Sequence, residues 1–320
     1  MTTTAFSALE ELVARELDRP VPAGAHALVE RLRVRFGNAL RGVLMYGSNL
    51  RQGDDSEGVL DLYALVSSYP NAYPQQPVLA ALNRVLPPNV FYLEARSERH
   101  DVRCKYAVLA LSDLARLTSR LTTEPYFWAR FAQPCALVWA ADAEARATVV
   151  TALAGAVATF VRFAVPFADE TFDARTLWTT AWQATYGAEI RPERPGAADA
   201  FYARAAARFD EATALALPLL PWPNAILDAG DCRRFRVEMP PSQRRRTLRT
   251  WSVRRVRAKS LFLLRMLRNG LIFEGGVDYV LWKIQRHSGM PIDRNWREKP
   301  HPLLALGAEA WRLYRAGAFR

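Results

Sequence analysis

Cysteine is scarce in this 320-residue chain. Cys104, Cys135 and Cys232 are too few and too scattered for a disulfide framework or a zinc site, which suits a reducing compartment. Histidine is equally sparse. His26, His100, His287 and His301 lie far apart in sequence, so no histidine metal cluster is expected. Long unbroken apolar runs are missing too. Residues 149–161 are too few to span a bilayer, and residues 212–227 contain three prolines. The opening MTTTAFSALEEL lacks the basic flank and apolar core of a secretory signal. These absences predict a protein soluble or peripheral to a membrane, with the cytoplasmic side, at the inner face of the membrane, as the expected location. Zinc-finger spacing, an RNP-type aromatic motif and a clear helix-turn-helix pattern are also missing, so nucleic acid is not the expected partner.

Half of the residues are hydrophobic, and Ala and Arg are heavily used. That composition and length suit a globular chain of two or three domains. The net charge of +11 is unevenly placed: residues 233–320 carry 21 Lys and Arg against 6 Asp and Glu, whereas residues 1–232 carry 22 against 26. This asymmetry points to an anionic partner for the C-terminal part.

The most informative stretch is Val43 to Val66. It reads as an apolar strand ending at Tyr46, a Gly47–Ser48 break, a polar loop, and a second apolar strand from Val59 carrying Asp61. Gly47 allows backbone angles and close ligand approach that other residues resist. Successive N–H groups in such a turn suit phosphate oxygens. An acid within an apolar strand is costly unless paired or metal-bound. The pattern resembles the nucleotidyltransferase (polymerase-beta-like) superfamily, whose Gly-Ser turn holds a triphosphate and whose acids hold Mg²⁺. That superfamily usually has a second acid two residues on, where this chain has Tyr63. Without the resemblance, the same pattern reads as a hairpin with an exposed strand-end Asp.

Upstream, residues 7–37 read as two helices broken at Pro20 and Pro22, with Ser7 and Glu10 resembling a capping box at the first helix start. Downstream, Val78 to Val85 fits a helix and Val90 to Leu93 a strand followed by Glu94. Residues 95–103 read as a charged turn and Cys104 to Leu111 as a fourth strand. Glu94 is either a further metal carboxylate or an exposed strand-end acid. Lys105 is either a point cation for phosphate or a surface residue of an edge strand. Ser112 to Leu121 reads as a capped helix. Arg130 lies among aromatics, and the first domain is expected to end near residue 140.

From Asp142 to about Leu217 the pattern is helical. Trp178 and Trp182, four apart, are expected in the core. Residues 218–241 read as a proline-rich connection. Ser242 to Gly270 fits one long basic helix, with Ser242 as N-cap and Gly270 just past its end. Val253, Val256, Leu263 and Leu267 share a face among arginines. A second amphipathic helix is expected after Gly275–Gly276, with Trp296, Trp311 and Tyr314 beyond. Such a segment suits an anionic lipid surface, or packs its arginines on the acidic N-terminal part.

Several segments in order resemble one family, the mitochondrial-type, peripheral CDP-diacylglycerol synthases (phosphatidate cytidylyltransferases). The matching residues are Tyr46, Gly47, Ser48 and Gln52; Leu60, Asp61 and Leu62; and Val90, Phe91 and Tyr92. They continue with Lys105 to Val108, Asp113 and Leu114, and Ala129 to Pro134, with an echo at Tyr279 and Lys283. The family has a single acid at the second strand, which accounts for Tyr63. The likeness covers residues 43–140 closely and 242–288 loosely. Asn49 replaces a family Gly, and YPNAYP replaces a loop with a Trp-His pair.

The resemblance implies an α+β fold. A nucleotidyltransferase α/β domain occupies residues 1–140, a helical domain with its connection 141–241, and a basic amphipathic helical region 242–320. It implies transfer of a cytidylyl group from CTP to phosphatidate. Asp61 and Glu94 would hold Mg²⁺, Asp61 and Lys105 act in catalysis, and Tyr46, Gly47, Ser48 and Arg130 bind the nucleotide. A nucleotidyltransferase with a protein, RNA or small-molecule acceptor, or an inactive binding module of the same fold, remain the alternatives.

Overall fold

The computed structural model describes residues 2–53, 58–97, 100–122, 124–186, 196–229 and 232–272, together with residues 308, 311, 312 and 315. The expected second amphipathic helix, Tyr279, Lys283, Trp296 and Tyr314 lie outside the described residues.

The chain is a mixed α+β protein. Helices α1 (Thr2–Leu17) and α2 (Ala23–Phe36) flank the expected break at Pro20 and Pro22. Helix α1 already runs from Thr2, because nothing in Thr2 to Phe6 interrupts it, so Ser7 lies inside rather than capping it. Strand β1 (Leu40–Tyr46) leads through Gly47 into the short helix α3 (Ser48–Gln52), and β2 (Leu60–Val66) returns antiparallel to it. The short helix α4 (Tyr69–Ala72) and α5 (Pro77–Val85) follow.

Strands β3 (Asn89–Arg96) and β4 (Asp101–Ala110) form a longer hairpin than the sequence indicated. Residues 95–103 are therefore mostly strand, held by pairs such as Ala95 with Val102. Helix α6 (Leu111–Thr118) starts one residue early and has no side-chain cap at Ser112. Helix α7 (Pro125–Phe131) opens on a proline, whose fixed φ suits a first turn. Strand β5 (Ala136–Ala140) is a fifth strand the sequence reading missed, pairing with β1.

The sheet order is β3-β4-β2-β1-β5, with β2 and β4 parallel and the other pairs antiparallel. Both faces are covered, which is why LDLYALV in β2 is almost continuously apolar. One face, with Val43, Met45, Leu62 and Tyr106, packs with Leu28 and Leu32 of α2. The other, with Leu44, Tyr63 and Leu109, belongs to a core shared with α1, α6 and α7.

That second core continues into α8 (Ala143–Ala164), capped by Asp142, whose carboxylate accepts from the Ala145 N–H at 2.8 Å. Among the described residues, one helical stretch, Ala143–Phe167, is long and apolar enough to cross a membrane. Val149, Leu153, Val157 and Phe160 on it are buried in the core.

The segment read as wholly helical also contributes strand β6 (Thr171–Asp173), before α9 (Ala174–Tyr186). Helices α10 (Ala197–Ala203) and α11 (Ala206–Ala216) follow. The proline-rich connection contains a hairpin, β7 (Asn224–Ala229) and β8 (Cys232–Val237), giving a second sheet in the order β6-β8-β7. Trp178 and Trp182 are fully buried; Trp178 stacks on Phe160, and the remaining contacts of the two with Phe160 and Phe209 are tilted or edge-on.

Helix α12 (Pro241–Ile272) contains both Ser242 and Gly270, so neither caps it. Its Trp251 lies edge-on to Phe167 at 5.2 Å. Its far end lies on the first sheet's connections. There, Arg265 donates to Pro87 O at 2.7 Å and pairs with Glu124, and Arg268 donates to the carbonyls of Leu82, Leu86 and Pro88.

Candidate functional site

Strand register brings the site together. Tyr46 pairs with Asp61 across β1 and β2, Asp61 with Lys105 across β2 and β4, and Lys105 with Tyr92 across β4 and β3. Directly paired residues share a sheet face, so these four form one row. The next row on that face is Leu44, Tyr63, Ala107 and Val90. A cavity of about 400 Å³ opens over this face. It is lined by Tyr46, Gly47, Ser48, Asp61 and Lys105 from the sheet side, and by Tyr126 and Arg130 of α7 above.

Lys105 Nζ lies 3.0 Å from Asp61 Oδ1, with the two side chains 36% and 23% exposed. Strand β4 lies inside the sheet, so Lys105 is not an edge-strand residue. Gly47 has φ +92° and ψ −165°, and a Cβ there would fall 2.7 Å from Asp61 Oδ2. The turn thus needs glycine twice over, for its backbone and for the carboxylate it packs against. Ser48 Oγ donates to Asn49 Oδ1 at 3.2 Å.

Arg130 lies between two aromatic rings. Its guanidinium is 5.3 Å from the Tyr46 ring and 4.6 Å from the Tyr126 ring, and Nη1 donates to the Tyr46 hydroxyl at 3.1 Å. Burial pushes the Tyr46 phenol well up. Arg130 pulls against that shift, and Asp61 adds to it. Burial likewise raises the Tyr63 phenol, helped by neighbouring Tyr126. Both phenols are therefore neutral at physiological pH.

Glu94 stands apart from this group. It is exposed and does not line the cavity; its Oε1 accepts from Tyr92 at 2.5 Å and from Arg103 Nε at 3.1 Å. It lies inside β3 rather than at a strand end, opposite Arg103 and one pleat beyond the Tyr92–Lys105 pair. Tyr63, where a second acid would face the cavity, is fully buried, its ring 5.3 Å from Tyr46 and 4.9 Å from Phe131.

The donor set bears on metal binding. Among the described residues, no three His, Cys, Asp or Glu side chains gather as a metal cluster. Among the described residues, Asp61 is the one carboxylate lining the cavity, with Oδ2 against the space a Gly47 side chain would fill. Mg²⁺ commonly takes one or two protein carboxylates and completes its shell with water and substrate phosphates. The residues fit that kind of site and do not fit an all-protein cage.

Tyr126 and Thr185 also line the cavity, and the sequence reading gave neither a role. Tyr126 precedes Arg130 by four residues, the helical spacing that puts both on one side. Thr185 reaches the cavity from α9, a helix with no chemical signature. Compared with known proteins, the chain matches no family model and no curated protein sequence.

Proposed function

We propose that the chain is a phosphatidate cytidylyltransferase, converting CTP and phosphatidate to CDP-diacylglycerol and pyrophosphate at an anionic membrane surface. The observation that carries this reading is the convergence of Asp61, Lys105, Arg130 and the Gly47–Ser48 turn on one cavity of about 400 Å³. That volume is within the usual range for small-molecule sites. In this reading, the acceptor's ionised phosphate oxygen attacks the α-phosphorus of CTP and pyrophosphate leaves. The nucleophile is already charged, so no strong general base is needed. Lys105 sets a cation beside the triphosphate. Gly47 lets it approach the main chain closely, and Arg130 orients the nucleotide or lipid phosphate. Asp61 would hold Mg²⁺, which would supply charge neutralisation on the triphosphate. The rest is positioning and electrostatics.

The membrane part of the proposal is supported by α12. Val253, Val256, Leu263 and Leu264 are exposed along it, flanked by exposed Arg245, Arg246, Arg249, Arg257 and Lys259. Apolar residues between basic ones suit an interfacial helix on anionic lipid.

One observation favours a second reading, an inactive binding module: Asp61 already pairs with Lys105, and Tyr63 replaces a second acid. Incubation with α-labelled CTP, Mg²⁺ and phosphatidate vesicles separates these. Label extracted into the organic phase as CDP-diacylglycerol supports the proposal. Label on protein or RNA instead points to another acceptor, and no transfer with any acceptor points to the binding module.

A further inference from the structure

We propose that Arg265 and Tyr126 are positioning residues that hold Arg130 in place, so that helix α12 sets the geometry of the cavity from outside it. This rests on the reading of Arg130 as a phosphate-binding group. Tyr126 lies between two guanidinium groups, Arg130 at 4.6 Å and Arg265 at 4.6 Å. Arg265 is itself fixed. It is 5% exposed, pairs through both terminal nitrogens with Glu124, and donates from Nε to Pro87 O at 2.7 Å. Glu124 immediately precedes α7, so the same contact anchors the start of the helix that carries Tyr126 and Arg130.

A guanidinium over an aromatic face is attracted to the ring quadrupole, most strongly when water is excluded. Arg265 meets that condition, being buried and outside the cavity lining, whereas Arg130 meets the ring at the cavity itself. Arg130, stacked also on Tyr46, is then presented with few rotamers to lose on binding. Arg268, three residues on, anchors the same helix through backbone carbonyls. Arg31, exposed on α2 against the opposite face of the sheet, serves as the control.

The test has two arms. In ligand-free protein, the Arg130 Nε–H resonance, assigned by its loss in Arg130→Lys, should be displaced by the Tyr46 and Tyr126 rings. Arg265→Met should move it toward the exposed arginines, and Arg31→Met should not. In the second arm, CTP binding by calorimetry should weaken about tenfold in Arg265→Met, the order expected for one partly desolvated cation–π contact. It should be unchanged in Arg31→Met. Where Arg265→Met does not fold, Tyr126→Leu must release the Arg130 resonance and Tyr126→Phe must keep it. An unmoved Arg130 resonance in Arg265→Met, or in Tyr126→Leu, overturns the proposal. So does equal weakening of CTP binding by Arg31→Met. If the resonances behave as stated but wild-type protein binds no CTP, the positioning role stands and the cytidylyltransferase reading falls.

Discussion

At the residue scale, Gly47 and Asp61 define each other. A side chain at Gly47 would meet the Asp61 carboxylate at 2.7 Å, in a backbone region that L-residues avoid. Gly47→Ala should cost about 1–3 kcal/mol of stability. It should also displace Asp61, so pyrophosphate release should fall well beyond what the lost fold explains, read by urea midpoint and rate on the same sample. Lys105→Met separates stability from chemistry in the opposite sense. The Asp61–Lys105 pair is partly exposed, so stability should change by under about 1 kcal/mol. The rate should fall about a hundredfold, as for loss of one preorganised charge-stabilising group. An unchanged rate would remove Lys105 from the chemistry.

This part of the site was legible, because Gly-Ser and an acid in an apolar strand are locally costly choices. Glu94 was misleading. In sequence it suited either a metal carboxylate or an exposed acid, and only the β3–β4 register shows that Arg103 stands opposite it. Tyr126 was illegible because its significance lies in a contact with a helix 139 positions away.

At the element scale, α8, α9 and α11 meet through Phe160, Trp178 and Phe209, with ring separations of 4.3 Å and 4.7 Å from Trp178. Trp178 also donates to Thr213 Oγ1 at 2.9 Å. Trp178→Ala should cost about 3–5 kcal/mol by chemical denaturation, from lost burial and the cavity left behind. A loss under about 1 kcal/mol would show that these helices do not share a core.

The helical part was readable from its apolar spacing, including the buried tryptophans. The second sheet was not. Strand β8 does alternate, with Arg234 and Arg236 exposed around Phe235 and Val237 buried. That signal spans only a few residues among prolines, and the proline signal dominated the reading. Strand β5 is likewise short, and β1 supplies its pairing from 91 to 98 residues away.

At the scale of the whole molecule, burial makes the fold sensitive to alkali. Burial pushes the Tyr73 phenol and the Cys135 thiol each up to about 12. Between the unfolded values and 12, the native groups keep protons that the unfolded chain has released. Stability is therefore fully present below about pH 9 and falls as pH rises toward 12. Urea midpoints across pH 7–11 should be flat and then decline; a rise above pH 9 would contradict the burial.

The charge asymmetry was plain in the composition, but its use is divided. Arg265 and Arg268 anchor α12 to the first part of the chain, while Arg245, Arg249 and Arg257 face outward. Flotation with anionic vesicles should weaken from 0.1 M to 1 M salt, as screening shortens from about 10 Å to about 3 Å. Salt-independent flotation would show that the outward arginines do not carry the attachment.

The most direct measurement is pyrophosphate release by purified protein given CTP, Mg²⁺ and phosphatidate vesicles, run beside Asp61→Ala. Release that requires the lipid and disappears in Asp61→Ala is the predicted result. Lipid-independent release, no release from the wild type, or an active Asp61→Ala would each contradict the account.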